Sequence, residues 1–155
     1  QKITSGISET QFGPNNACTR GQIVTLLWRA AGSPEPQTNS CQFVDITPRD
    51  YFYKAVLWAV ENQITSGTDT THFSPYAKCT RAQAITFIWR TEGKPTSENR
   101  ASFSDVSPKS YYADAVSWGV EYGVTSGMGN NKFGSDETCT RGQIVTFIYR
   151  DKASK

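Results

Sequence analysis

Three arginines recur in one setting: Thr19-Arg20-Gly21-Gln22, Thr80-Arg81-Ala82-Gln83 and Thr140-Arg141-Gly142-Gln143. Thr and Gln at this spacing match the capping box that opens a helix, each side chain satisfying a backbone N–H of the first turn. That explains the threonines and Gln22, Gln83 and Gln143. It does not explain Arg20, Arg81 and Arg141, because a cation in the first turn opposes the helix macrodipole by about 0.3–1 kcal/mol. The arginines need either a carboxylate partner within the chain or an external anion. A guanidinium fork beside free helix-start N–H groups suits a carboxylate ligand. We expect the three to point into open clefts between repeats and not to lie buried in salt bridges. Replacing Arg81 by alanine should then weaken ligand binding and leave the melting temperature nearly unchanged.

Other reactive or polar residues also sit at matched positions. Ser66-Gly67 and Ser126-Gly127 lie in a Thr-Ser-Gly loop, where glycine lets backbone N–H groups approach a ligand, or simply makes a turn. Asp45 and Asp105 stand in F-x-D, as turn or cap residues or as partners for an arginine of another repeat. Trp58 and Trp118 fall off the Ala/Val stripe of their helix; they pack in the core or border a groove. Cys18, Cys79 and Cys139 are equivalent and cannot all pair, and small buried hydrophobes are their expected role. Cys41 has no counterpart. An oxidising compartment would permit a disulfide, and Cys41 with Cys79 is the pairing we favour, although four cysteines allow three complete pairings. His72 is the single histidine, so a two-histidine metal site is excluded, and the cysteine spacings fit no zinc motif. No nucleophile motif or phosphate loop occurs. The scattered carboxylates give no support to a glycosidase pair. We expect no catalysis, no cofactor and no metal.

The elements that position these residues are repeats. Windows Ile3–Arg29, Ile64–Arg90 and Val124–Arg150 align without gaps, and ten positions are identical in all three, including Thr4, Ser5, Gly6, Phe12, Arg20, Gln22 and Arg29 with their equivalents. A second block occurs twice, FVDITPRDYFYKAVLWAVENQ from Phe43 and FSDVSPKSYYADAVSWGVEYG from Phe103, each leading directly into the next window. The first repeat lacks the block that should precede Ile3. The apolar stripe of Phe52, Ala55, Val56, Ala59 and Val60 predicts a first helix near 50–62, and its copy predicts one near 110–122, with Asp50 and Ser110 as N-caps. The second helices begin at Thr19, Thr80 and Thr140 and end near Gly32, Gly93 and Lys152. The connectors Gly32–Ser40 and Gly93–Arg100 are rich in turn residues. The fold class is all-α, in tandem repeats over 1–36 (second helix only), 37–97 and 98–155.

Composition narrows the function. The 155 residues are 37% hydrophobic with a net charge of +2 from 16 basic and 14 acidic side chains. This is a globular balance, without the clustered basic face of a nucleic-acid binder. No apolar run reaches the roughly 18 residues of a membrane span. The chain starts at Gln1 without a methionine or signal peptide, and reads as a fragment or processed form.

The order F-x-D, an aromatic pair with AV.W, TSG, F and T-R-x-Q, whole in two copies and from TSG onward in a third, covers nearly the whole chain and closely resembles the S-layer homology (SLH) domain. Here Gln replaces the usual Glu of the Thr-Arg-Ala-Glu motif in all three copies, and Gly replaces Ala in two. Loss of that charge should leave the site more positive, which helps an anionic sugar or frees Arg for a different acid. The resemblance implies a pseudo-threefold bundle with three arms, in a secreted protein held non-covalently on the bacterial cell wall. The implied partner is an acidic secondary cell-wall polysaccharide, often ending in a pyruvylated amino sugar that the motif arginine contacts between repeats. A drifted module that binds another surface protein is the alternative, and an enzyme ranks below both. We also expect three first helices at the bundle centre. The gap left by the absent one would be filled by a separate N-terminal segment, a second copy of the chain or a fused neighbour, with Arg141 in the damaged groove.

Overall fold

The computed structural model describes residues 3–153. They form five helices: α1 (Arg20–Ala30), α2 (Tyr53–Glu61), α3 (Arg81–Thr91), α4 (Ala113–Glu121) and α5 (Arg141–Ala153). The described residues contain only isolated β-bridges besides, so the fold is all-α.

Helices α1, α3 and α5 open as expected. In α1 and α3 the cap hydroxyl accepts from the glutamine N–H and the glutamine side chain accepts from the cap N–H. In α5, Thr140 N–H donates to Gln143 Oε1 at 3.0 Å, and Gln143 N–H to Thr140 Oγ1 at 3.2 Å. The first helices start later than the stripe suggested. Asp50 uses its carboxylate upstream, on the Thr47 N–H at 2.6 Å. The caps of α2 and α4 are Phe52 and Tyr112, with no side-chain cap bond. Asp50 and Ser110 are therefore turn residues, not N-caps.

The arrangement corrects one expectation. Helices α1, α3 and α5, the second helices of the repeats, pack against one another in all three pairings. The first helices lie outside them, α2 on α1 and α4 on α3. Around the axis the cysteines close a ring of backbone bonds: Cys18 N–H to Cys139 at 2.9 Å, Cys79 N–H to Cys18 and Cys139 N–H to Cys79, both at 2.8 Å. All four cysteines are free, so the favoured Cys41–Cys79 bond is not formed. Cys18, Cys79 and Cys139 are wholly buried. Burial pushes the Cys18 thiol up to about 12 and Cys139 to about 11, and it raises Cys79 as well. These are inert apolar fillers.

Helix α5 has no first helix against it among the described residues. Its Val145 is half-buried where Val24 and Ile85 are 0% exposed, and its Thr146 is exposed where Thr25 and Thr86 are buried. Tyr149 is 71% exposed, whereas its counterparts Trp28 and Trp89 are half-buried and donate Nε1–H to the Pro34 and Pro95 carbonyls of the connectors.

Candidate functional site

The motif arginines join the repeats in a cycle. Arg20 Nε donates to the Phe73 carbonyl at 2.9 Å, Arg81 Nε to Phe133 at 3.0 Å and Arg141 Nε to Phe12 at 3.1 Å. Each guanidinium lies over the ring of the same phenylalanine, 4.9–5.1 Å from its centroid. Arg20 also faces Phe87 and Arg81 faces Phe147. The three side chains are 4%, 5% and 7% exposed. They are thus buried, contrary to the open placement expected, although none is in a salt bridge among the described residues. Burial pulls the Arg20 and Arg81 pKa below the ordinary value. Carbonyl dipoles and ring faces supply the negative potential that offsets the cation at a helix start.

The helix-start N–H groups are occupied too. Arg20 and Gly21 donate to Ala77 and Pro75, Arg81 and Ala82 to Glu137 and Ser135, and Arg141 and Gly142 to Asn16 and Pro14, at 2.8–3.1 Å. The threonine cap takes the next one. These groups hold neighbouring repeats together and are not free for an anion.

Asp45 and Asp105 are turn clamps within their own repeats. Asp45 accepts from Phe73 and Ser74 N–H at 2.9 and 2.7 Å. Asp105 accepts from Phe133, Gly134 and Ser135 N–H at 2.7, 2.7 and 3.1 Å. Each clamp places the phenylalanine on which an arginine stacks. Burial raises the Asp105 pKa, but the backbone donors outweigh it and hold the carboxyl below its ordinary value. A depressed folded pKa contributes stability that is complete above the unfolded value and is lost as pH falls through the folded one. Unfolding free energy is therefore expected to fall below about pH 4. Asp105→Asn should cost about 1–3 kcal/mol near neutrality and flatten that acid limb in urea titrations at several pH values. An unchanged limb would remove Asp105 from the acid response.

Two clefts run between repeats. The first, of about 430 Å³, is lined by Arg20, Thr65, Ser66, Gly67, Thr68, Gln83, Thr86, Phe87, Arg90 and Tyr111. The second, of about 320 Å³, is its counterpart, with Arg141, Thr4, Ser5, Gly6, Gln22, Thr25, Leu26, Arg29 and Tyr51 among its lining residues. Neither lining contains a carboxylate. Each cleft combines the glutamine and Thr-Ser-Gly loop of one repeat, the arginine of the repeat before it in the cycle and a tyrosine of the repeat that follows it. Gln22 thus serves the cleft of Arg141, and Gln83 that of Arg20. The corresponding group around Arg81 joins Ser126 to α5, where Gln143 caps and the flank is uncovered. Among the described residues the groove that no first helix borders is therefore that of Arg81, not that of Arg141. Trp58 and Trp118 are 7% and 4% exposed, in the core and outside both cleft linings.

Sequence reasoning missed Tyr51 and Tyr111, each 60% exposed, and Arg29 and Arg90. The signal was present: Arg29 is identical in all three windows, and an aromatic pair opens both first-helix blocks. Among the described residues no three His, Cys, Asp or Glu side chains gather as a metal would need. No described helix is long and apolar enough to cross a membrane.

Comparison with known proteins agrees with this architecture. The S-layer homology domain model matches residues 42–85 and 102–145, each spanning a first helix, the loop and the start of a second helix. A Thermoanaerobacterium thermosulfurigenes amylopullulanase is 26% identical over 95% of this chain and 8% of its own length. The surface-layer 125 kDa protein of Lysinibacillus sphaericus is 29% identical over 76% of this chain and 10% of its own. A Thermoanaerobacter kivui cell surface protein is 42% identical over 31% of this chain and 6% of its own. The chain spans a small fraction of the length of these curated relatives. The matched repeats, the helical bundle and the kinship with surface-layer proteins converge: this is a cell-wall anchoring module of a secreted, cell-surface protein, and the chain belongs to the S-layer homology domain family.

Proposed function

We propose that the module, in repeats 1–36, 37–97 and 98–155, holds its parent protein on an acidic secondary cell-wall polysaccharide, with a pyruvylated amino sugar as the recognised group. The observation that carries this is the pair of inter-repeat clefts, each with two arginines, a tyrosine and no lining carboxylate. The tyrosines offer apolar ring faces to a sugar, and the arginines offer charge to an acid. In this reading Arg20, Arg141, Gln22, Gln83, Ser66 and Gly67 line the two clefts, while Arg81, Gln143, Ser126 and Gly127 stand at the equivalent places of the third junction. Asp45 and Asp105 position loop residues, and Trp58 and Trp118 support the loops from the core. Relatives named as enzymes, the amylopullulanase and a Bacillus endoglucanase, share only 8% and 14% of their lengths with this chain. We read the chain as non-catalytic, with no cofactor.

Pull-down on purified sacculi tests the reading. Binding should be lost when the secondary polysaccharide is stripped from the wall. Binding that is indifferent to stripping would overturn it and favour a protein partner.

A further inference from the structure

A groove of about 440 Å³ lies outside the two clefts, between the first connector and the start of α2. It falls within the size range of small-ligand sites. Three aromatic rings line it, those of Trp28, Tyr51 and Tyr53. The connector is tied down along it. Trp28 Nε1–H donates to the Pro34 carbonyl at 2.8 Å and the Tyr53 hydroxyl to the Asn39 carbonyl at 2.7 Å. The Thr38 N–H and hydroxyl both donate to Glu61 Oε1 at 2.7 Å. The indole and the phenol are therefore fixed by their polar ends before any ligand arrives, which lowers the ordering cost of binding. The charge is opposite to that of the clefts. The lining carries two carboxylates, Glu35 and Asp50, against one ammonium, Lys54. Lys54 pairs with Glu35, and Asp50 accepts from the Thr47 N–H and hydroxyl at 2.6 and 3.0 Å. The groove is not repeated: at the α3–α4 junction Ala113 stands for Tyr53, Ser117 for Leu57 and Ser110 for Asp50.

We propose that this groove is a separate subsite for a neutral sugar unit of the wall polysaccharide, an inference that rests on the wall-polysaccharide reading above. Aromatic rings take the apolar C–H face of a sugar, and carboxylates accept from its hydroxyls. Both kinds of group line the groove, and its net negative charge disfavours a unit that itself carries an acid. Tyr51 lines the groove and also the Arg141 cleft. It is 60% exposed and stands between a site with two arginines and a site with two carboxylates. A glycan lying across Tyr51 thus places an acidic unit on one side and a neutral unit on the other. The chain reads the polymer by the order of its units as well as by its acid.

The test is an NMR titration of the labelled chain with short fragments of the stripped polysaccharide, native and with their carboxyl groups reduced to alcohols. Both probes should shift the Trp28 indole N–H and the Thr38 amide, and leave the Trp89 indole, at the junction without a groove, in place. The native probe alone should also shift the Arg141 Nε–H. Tyr53→Ala, which installs the residue found at position 113, should weaken the reduced probe about ten-fold, as expected for loss of one ring contact. Asn39→Trp fills the groove from an exposed position and should abolish the Thr38 shift with Tm unchanged. A reduced probe that leaves Trp28 in place, moves Trp89 equally, or binds both variants as well as the parent chain would overturn the assignment. If Trp28 stays in place while sacculus binding is still lost on stripping, the groove assignment fails and the anchoring reading stands. Sacculus binding indifferent to stripping, with no shift from either probe, brings both down.

Discussion

Arg81→Ala is expected to lower the unfolding free energy by about 3–5 kcal/mol, the worth of two charge-assisted bonds and two ring contacts removed from a buried site. The side chain is 5% exposed and bonds the Phe133 and Ser126 carbonyls. Alanine leaves both carbonyls short of a donor and opens space between Phe133 and Phe147. At about 2–4 °C per kcal/mol for a chain of this size, Tm should drop by roughly 10 °C. The sequence reading of a surface cation gives the opposite expectation, an unchanged Tm, and burial reverses it. Arg20→Ala should cost markedly less, because among the described residues the Arg20 side chain makes only the Nε hydrogen bond to Phe73 and its Nη2 is unmatched. Circular dichroism melts of the two variants measure the ranking. Equal losses would mean that the loop carbonyl contributes nothing to stability.

A copy of residues 103–123 joined ahead of Ile3 should raise Tm by about 4–8 °C, a net gain of roughly 2 kcal/mol. The block normally runs straight into a Thr-Ser-Gly window, so this joint reproduces the connection between Gly123 and Val124. The added helix should cover the flank of α5 that carries Val145, Thr146 and Tyr149, as α2 covers α1 and α4 covers α3. Burial of apolar surface at about 25 cal/mol per Å² then exceeds the ordering cost of one short helix. It should also bring an aromatic pair to the Arg81 groove. Light scattering of the chain with and without the added block gives a second readout, its oligomeric state. A fused chain with the same Tm and the same scattering would show that α5 needs no cover.

Much of this molecule was legible before any coordinates. The three capping boxes, the three-copy repeat and the stripe of Ala55, Val56 and Ala59 are local patterns. Their partners lie within four residues or at a fixed period, so spacing alone determines them. The turn role of Asp45 and Asp105 was one of two readings left open, because an F-x-D carboxylate can serve its own loop or another. The start of α2 at Tyr53 was misplaced, since Asp50 has a competing local partner in Thr47. The arginines could not be read at all. Their acceptors lie 53, 52 and 129 residues away in the chain, and no local rule says which carbonyl a guanidinium will find. The same holds for the helix-start N–H groups, which look free in the sequence and are taken by neighbouring repeats. Which helices form the centre was likewise decided only by packing, since both helix types present an apolar face. The orientation of the Ser66–Gly67 peptide lies furthest from the sequence. The three loops share the same Thr-Ser-Gly, yet of the three glycines Gly67 alone takes φ +90°, and Arg20 alone lacks the loop-carbonyl bond that Arg81 and Arg141 make.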